Sequence, residues 1–283
     1  MVVSRYPPKA TSFQPSAISH QLKTLQRIPR EKPLEWVKCG CAVLRDFDFG
    51  GTSLYNDVAM ANHAYLSVWS RDYSEATMLE QFRALLGTIP FSAGQPGLAW
   101  LVVRAVSPAE YPLVEVNLRG QAVEPADVIE LMREHLNADT AYEVAANWDL
   151  WALDTETQSW KQQPQPIELI CHGTEYDDGA CREMGHFQVD AGIEHLFTGH
   201  ARILGTHEGR TVTVEHPAEA EFLAAMTRPE NFREYHQKTR ENIQKLMDWV
   251  PQIERALPVE RYRLWSEGEE NFEARLDEIL AVR

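Results

Sequence analysis

Residues 170–200 hold the densest set of side chains that could carry chemistry. The segment, ICHGTEYDDGACREMGHFQVDAGIEHLFTGH, contains two of the four cysteines and four of the ten histidines of the chain. Imidazole, thiolate and carboxylate groups are the usual protein ligands of zinc. The segment therefore predicts a zinc site of the catalytic His/carboxylate type, built from His186, Asp190, His195 and His200.

The activity implied by such a site is that of a metal-dependent hydrolase centred on residues 171–200. A bound metal lowers the pKa of its water, and Asp190 or Glu194 would act as a ligand or general base. The spacing is weak evidence, since neither a CxxC nor an HxxxH pair occurs in the segment. On one helix His195 and His200 would diverge by about 140°. A polar loop, a strand and a short helix explain the same residues and are the favoured interpretation.

The cysteines predict buried structural thiols rather than reactive ones. Cys39 and Cys41 lie two apart on an expected strand, so they share a face, and free cysteine is commonly buried. Cys171 and His172 are adjacent on another expected strand and point to opposite faces, so they cannot form a nucleophile and base pair. A catalytic Cys171 would need His186 or His200 instead.

Common catalytic and nucleotide-binding motifs do not occur in the sequence. It lacks GxGxxG, GxxxxGK[ST], GxSxG and HExxH. Binding of a nucleotide by a standard phosphate loop is therefore not supported, nor is a serine hydrolase of the nucleophile-elbow type.

The net charge of −15 limits the class of partner. It disfavours nucleic acid and anionic membrane surfaces and fits a basic protein surface or a small ligand. The absence of an export signal or an apolar spanning segment, together with only four cysteines, predicts a cytoplasmic protein.

Residues 1–33 differ in charge from the rest of the chain, with six basic residues, five prolines and only one acid, Glu31. They predict a Pro-rich arm, which either docks on an acidic surface such as a second copy of the chain or packs loosely as a terminus.

Apolar periodicity predicts an α+β fold with a ferredoxin-like βαββαβ order, extended by further strands and followed by helices. The domains are then the arm at 1–33, a sheet domain at 34–217 and C-terminal helices at 218–283 packed on the sheet domain. Trp148 and Trp151 fall on opposite faces of one strand, so at least one faces outward unless another layer covers it. The C-terminal helices are expected to cover that side. The predicted strands are 36–46, 64–70, 98–106, 113–119, 141–153, 167–172, 186–190 and 211–215, and the predicted helices are 75–86, 126–136, 218–226, 229–250 and one after the capping box of Ser266 and Glu269.

Taken together, these patterns favour a non-enzymatic binding or protein-interaction module with an acidic surface. A small-ligand binder that uses the open face of the sheet belongs to the same group. The alternative is the metal-dependent hydrolase, and it depends on the convergence of His186, His195 and His200.

Overall fold

A seven-stranded antiparallel sheet forms the centre of the fold. The computed structural model describes residues 62–154, 157, 159–199 and 228–281. The strand order is β3-β2-β4-β5-β6-β1-β7, and every neighbouring pair is antiparallel. The strands are β1 His63–Ser70, β2 Leu98–Ala105, β3 Val114–Asn117, β4 Thr140–Asp154, β5 Ser159–His172, β6 Phe187–Ile193 and β7 Val259–Ser266.

Six helices accompany the sheet in the described part of the chain, which confirms the α+β class. They are α1 Met78–Leu86, α2 Pro125–Arg133, α3 Cys181–Met184, α4 His195–Thr198, α5 Pro229–Ala256 and α6 Phe272–Ala281. Glu124 and Asp127 form a capping box that starts α2, with Pro125 in the first turn. Helix α5 continues through Pro251 to Ala256, beyond the predicted end at residue 250.

The ferredoxin-like strand order is not confirmed, and the sheet is larger than that fold requires. A ferredoxin-like sheet would place β1 between β3 and β4, whereas β1 here lies between β6 and β7. The cause is the long β4–β5 hairpin, which places β5 and then β6 beside β4 and leaves β1 on the far side of β6. Local periodicity located the strands, but strand order depends on these long-range pairings.

One face of the sheet is apolar and carries the long helices. Phe82 of α1 stacks on Phe187 of β6, with ring centroids 6.0 Å apart. Trp249 of α5 packs on Trp148 of β4 at 5.9 Å. All four side chains have at most 1% exposure, so this face is the main core. Burying aromatic side chains of this size stabilises the fold by about 1.5–3 kcal/mol each.

Helix α5 also covers the end of the β4–β5 hairpin that extends beyond β2. The Asn242 side chain accepts a hydrogen bond from the backbone N–H of Trp151 at 2.8 Å. It donates to the backbone carbonyl oxygens of Trp151 and Leu196, each at 3.0 Å. Lys238 lies over the Trp151 ring at 3.5 Å from its centroid. Residues of helix α5 therefore contact the rings of both Trp148 and Trp151.

Several sequence predictions fall on parts of the chain that the structure does not describe. These are the arm at 1–33, the strands at 36–46 and 211–215, the helix at 218–226, and the domain boundaries near 33 and 217. They stay predictions. Among the described helices, none is both long enough and apolar enough to cross a membrane.

Candidate functional site

The predicted zinc ligands do not form a cluster within the described residues. His186 accepts a hydrogen bond at Nδ1 from the Ser70 N–H at 3.0 Å, and its ring stacks on Tyr73 with centroids 4.0 Å apart. Burial lowers the pKa of His186, consistent with a neutral ring. His195 begins α4, and Asp190 points to a partner on β1.

His200 lies outside the described residues, so the predicted set is not fully tested. Across residues 62–154, 157, 159–199 and 228–281, no three His, Cys, Asp or Glu side chains are arranged to hold a metal ion. The metal-dependent hydrolase stays a prediction. Measuring the amount of metal bound per chain tests it directly.

Cys171 is buried and not activated as a nucleophile. Its Sγ lies 3.3 Å from the Tyr73 hydroxyl, which donates to the His172 carbonyl oxygen at 2.5 Å. Burial raises the pKa of the Cys171 thiol to about 12, so the thiolate is scarce at neutral pH. His172 makes a 3.0 Å hydrogen bond at Nδ1 with the Gly185 carbonyl oxygen. Both side chains therefore serve the local structure of the β5–β6 connection.

The second face of the sheet carries an unusual row of charged residues. Glu168 of β5 lies directly opposite Asp190 of β6, and Asp190 lies opposite Tyr65 of β1. Glu143 of β4 shares this face, because Ala145 is the residue opposite Glu168. Residues opposite each other in an antiparallel pair point to the same side. We call the set of Arg104, Glu143, Glu168, Asp190 and His63 the polar row.

Each end of the polar row is an ion pair. The Nε of Arg104 donates to Glu143 Oε1 at 2.7 Å, with the two side chains 9% and 16% exposed. At the other end, His63 Nδ1 lies 2.7 Å from Oδ2 and 2.9 Å from Oδ1 of Asp190, and the Gly192 N–H donates to Oδ1 at 2.8 Å. The partner of Nδ1 fixes the orientation of an imidazole, so Asp190 orients His63.

The pKa of His63 reflects two opposing effects. Burial lowers it, whereas the hydrogen bond to Asp190 and the negative charges of Asp190, Glu267 and Glu168 together raise it by more. The net result is a raised pKa, so the ring is charged over a wider pH range than an exposed histidine. The contact with Asp190 therefore favours the charged form of the His63 ring.

Glu168 occupies the centre of the row without a hydrogen-bond partner among the described residues. Burial, together with the negative charges of Glu143 and Asp190, raises its pKa to about 8. The positive charges of Arg104 and His63 lower the pKa by a smaller amount. The side chain is consequently a neutral carboxylic acid at pH 7. In order from Arg104 to a protonated His63, the five side chains are then positive, negative, neutral, negative and positive.

Two aromatic rings lie beside the His63 end of the row. Tyr65 stacks on Trp265 with centroids 4.4 Å apart and an interplanar angle of 20°. The Tyr65 hydroxyl donates to Glu267 Oε1 at 3.0 Å, and Glu267 Oε2 accepts from the backbone N–H of His63 at 3.1 Å. Carboxylates next to aromatic ring faces are the groups that proteins use to bind organic cations.

Sequence reasoning found Asp190 but missed its partners. His63 and Glu168 lie far from it along the chain, and only strand pairing brings the three together. A usable signal was present, because Arg104, Glu143 and Glu168 each interrupt an otherwise apolar strand. A charge in such a strand indicates that one face of the sheet is polar.

Comparison of the chain with protein-family models, with characterised proteins and with solved structures gives no match.

Proposed function

We propose that this protein is a binding module, and that its polar row binds a cationic group, an ammonium or guanidinium. The observation that carries the proposal is Glu168, a carboxyl without a described hydrogen-bond partner between two carboxylates that are each already paired. A cation beside Glu168 would replace its proton and satisfy the carboxylate.

The arrangement of like charges supports this assignment. Carboxylates directly opposite each other in a sheet, such as Glu168 and Asp190, disfavour folding unless a proton or a cation separates them. The ion pairs of Arg104 and His63 flank the row, so their cations neutralise Glu143 and Asp190 first. Glu168 is the position at which one further positive charge is favourable.

The charge of the chain as a whole agrees with a cationic ligand. A net charge of −15 attracts cations at long range and raises their rate of encounter. The same chemistry occurs in a small amine or guanidine and in the Lys or Arg side chains of a basic protein surface, so an experiment must separate these sources.

The test is an NMR titration of the isotope-labelled protein with methylguanidinium, which stays charged at every accessible pH. We expect shifts of the β5 and β6 amides and an affinity that increases as the pH rises through about 8, because the ionised Glu168 binds the cation. The variant Glu168→Gln should weaken binding about tenfold or more.

A matched control is Glu130→Gln on α2, whose carboxylate is 59% exposed and pairs with Arg133. It removes the same charge from the protein and should leave binding unchanged. A short Arg-containing peptide forms the second arm of the titration. Much tighter binding of the peptide than of methylguanidinium, lost in Glu168→Gln, identifies a basic protein partner, whereas equal affinities identify a small ligand. Equal loss of binding in both variants would refute the assignment to Glu168.

A further inference from the structure

The outer edge of β7 is a second surface with specific chemistry. β7 is the last strand of the sheet and pairs with β1 along one edge only among the described strands. Edge strands present unpaired N–H and C=O groups, which natural proteins usually cover or block. The backbone N–H and C=O groups on the side of β7 that faces away from β1 therefore require other hydrogen-bond partners.

On this edge the outward backbone N–H of Leu264 has a partner, whereas the outward backbone groups of Tyr262 have none among the described residues. The Leu264 N–H donates to the Glu273 side chain at 2.9 Å, so it points away from β1. Backbone groups alternate in direction along a strand, so the N–H and C=O of Tyr262 point the same way as those of Leu264. No described residue pairs with these groups of Tyr262, whose side chain is 42% exposed.

Two arginines flank the open position on the second face of the sheet. Arg261 lies over the Trp69 ring at 4.0 Å from its centroid, and Arg263 lies over Trp265 at 5.4 Å. Both are exposed, and neither forms an ion pair with a described carboxylate. Stacking on an indole holds a guanidinium in place while its N–H groups remain able to bind an anion.

A second copy of β7 is a poor fit to this edge. Two-fold antiparallel pairing centred on Tyr262 sets Arg261 of one copy against Arg263 of the other, and like charges directly opposite are unfavourable. Centring the pair on Glu260 sets two glutamates against each other, and centring it on Leu264 is blocked by Glu273. Acidic side chains at alternate positions of a partner strand match the two arginines instead.

We propose that β7 binds an extended segment of another protein as an eighth, antiparallel strand, with carboxylate side chains opposite Arg261 and Arg263. The residue opposite Tyr262 exchanges backbone hydrogen bonds with it and presents its side chain on the other face. This is β-strand addition, in which the backbone provides affinity and alternate side chains provide specificity. The surface is separate from Glu168 and does not depend on the cation site.

The probe is a short capped peptide in which Glu alternates with Val, labelled with a fluorophore and titrated with the full chain by fluorescence anisotropy. We expect binding, together with slower hydrogen exchange at the Tyr262 amide. The double variant Arg261→Glu, Arg263→Glu should weaken binding of this peptide about tenfold or more and should favour a peptide with Lys in place of Glu. Exposed residues tolerate such changes, and circular dichroism verifies that the variant is folded.

Backbone methylation separates strand addition from simple charge attraction. Methyl groups on the Val nitrogens remove the N–H groups that would face Tyr262 and should abolish binding. Methyl groups on the Glu nitrogens leave those N–H groups intact and should spare it. The proposal would be overturned if the peptide did not bind, or if the Glu and Lys peptides bound equally. It would also be overturned if methylation had no effect, or if light scattering showed a dimer that buries β7.

Discussion

Glu168 and Asp190 lie directly opposite each other on β5 and β6, with both side chains on the same face of the sheet. Asp190 is bound to His63, and Glu168 has no hydrogen-bond partner in the described part of the chain. Burial raises the pKa of Glu168, so this acid holds its proton to a higher pH than an ordinary carboxyl group. A buried group with a strongly shifted pKa beside specific charged partners is typical of functional sites.

Replacement of Glu168 by Gln should change the dependence of stability on pH. Between the ordinary carboxyl pKa of 4.5 and about 8, the folded protein holds a proton that the unfolded chain has lost. The unfolding free energy therefore falls as the pH rises through this window. Gln cannot ionise, so Glu168→Gln removes this fall in the unfolding free energy. The variant should therefore be more stable than the parent protein by about 1–3 kcal/mol at pH ~9 and nearly equal in stability at pH ~4. Urea denaturation across this range measures the effect.

Glu130→Gln is the control for this measurement because it removes an exposed carboxylate from α2. It should alter stability by less than about 0.5 kcal/mol at every pH. Equal pH dependence in Glu168→Gln and the parent protein would show that Glu168 titrates as an ordinary exposed acid.

Replacement of Asp190 by Asn should act in the opposite pH range. The pKa of His63 is raised in the folded state, so its charged pair with Asp190 stabilises the protein fully below 6.5. That contribution is lost as the pH rises through the raised value. Asp190→Asn should therefore cost about 1–3 kcal/mol at pH ~6 and less at pH ~9.

An NMR titration of the His63 ring gives a second readout for this variant. Its pKa should fall in Asp190→Asn and stay unchanged in Asp277→Asn, which removes an exposed acid from α6. A stability cost that is the same at both pH values, with no change in the His63 pKa, would mean that Asp190 has only a packing role.

The buried ion pair at the other end of the row predicts a larger cost. Arg104 is 8% exposed and donates to Glu143 and to the Glu110 carbonyl oxygen. Arg104→Met leaves the Glu143 charge without this partner, so it should destabilise the protein by about 3–5 kcal/mol. Arg83→Met removes the exposed pair with Glu80 and should cost less than about 1 kcal/mol. Thermal unfolding of both variants tests the difference, and equal costs would exclude a buried pair.

Local sequence patterns predicted most described elements, including the strand at His63–Ser70 and the helix at Met78–Leu86. They missed β7, because VERYRLWS mixes charged and apolar residues without regular alternation and follows a helix that runs past Pro251 to Ala256. They also shortened β5, since Pro164 and Pro166 argue against a strand. Both prolines lie where β6 does not pair with β5, so their missing N–H groups cost no hydrogen bond to β6.

The candidate site was harder to predict from the sequence than the fold, for a physical reason. Zinc ligands were sought by spacing along the chain, which is informative for a helix or a knuckle. The polar row crosses five strands, so its members share no sequence interval, and strand order decides which of them meet. Asp190 was therefore predicted as a metal ligand together with His186, His195 and His200, and its hydrogen bond to His63 was not predicted.

Gly173 gives a prediction about the turn that follows β5. Its N–H donates to the Thr140 carbonyl oxygen at 2.8 Å, so the chain passes very close to β4. A Cβ at this position would lie 2.6 Å from the Thr140 oxygen and closer still to that of Ala138. Both contacts are with backbone atoms, which cannot rotate away. Gly173→Ala should therefore destabilise the protein by about 3 kcal/mol or more.

The matched control is Gly97→Ala, at a position with φ of +86° and no atom within 4 Å of an added Cβ. It carries only backbone strain and should cost about 1–2 kcal/mol. Chemical denaturation of the two variants compares crowding with strain directly. If Gly173→Ala were no worse than Gly97→Ala, the β5–β6 connection could move away from β4. Because that connection leads into β6, such movement would also displace Asp190 from His63, and the His63 pKa would then fall in Gly173→Ala as it does in Asp190→Asn.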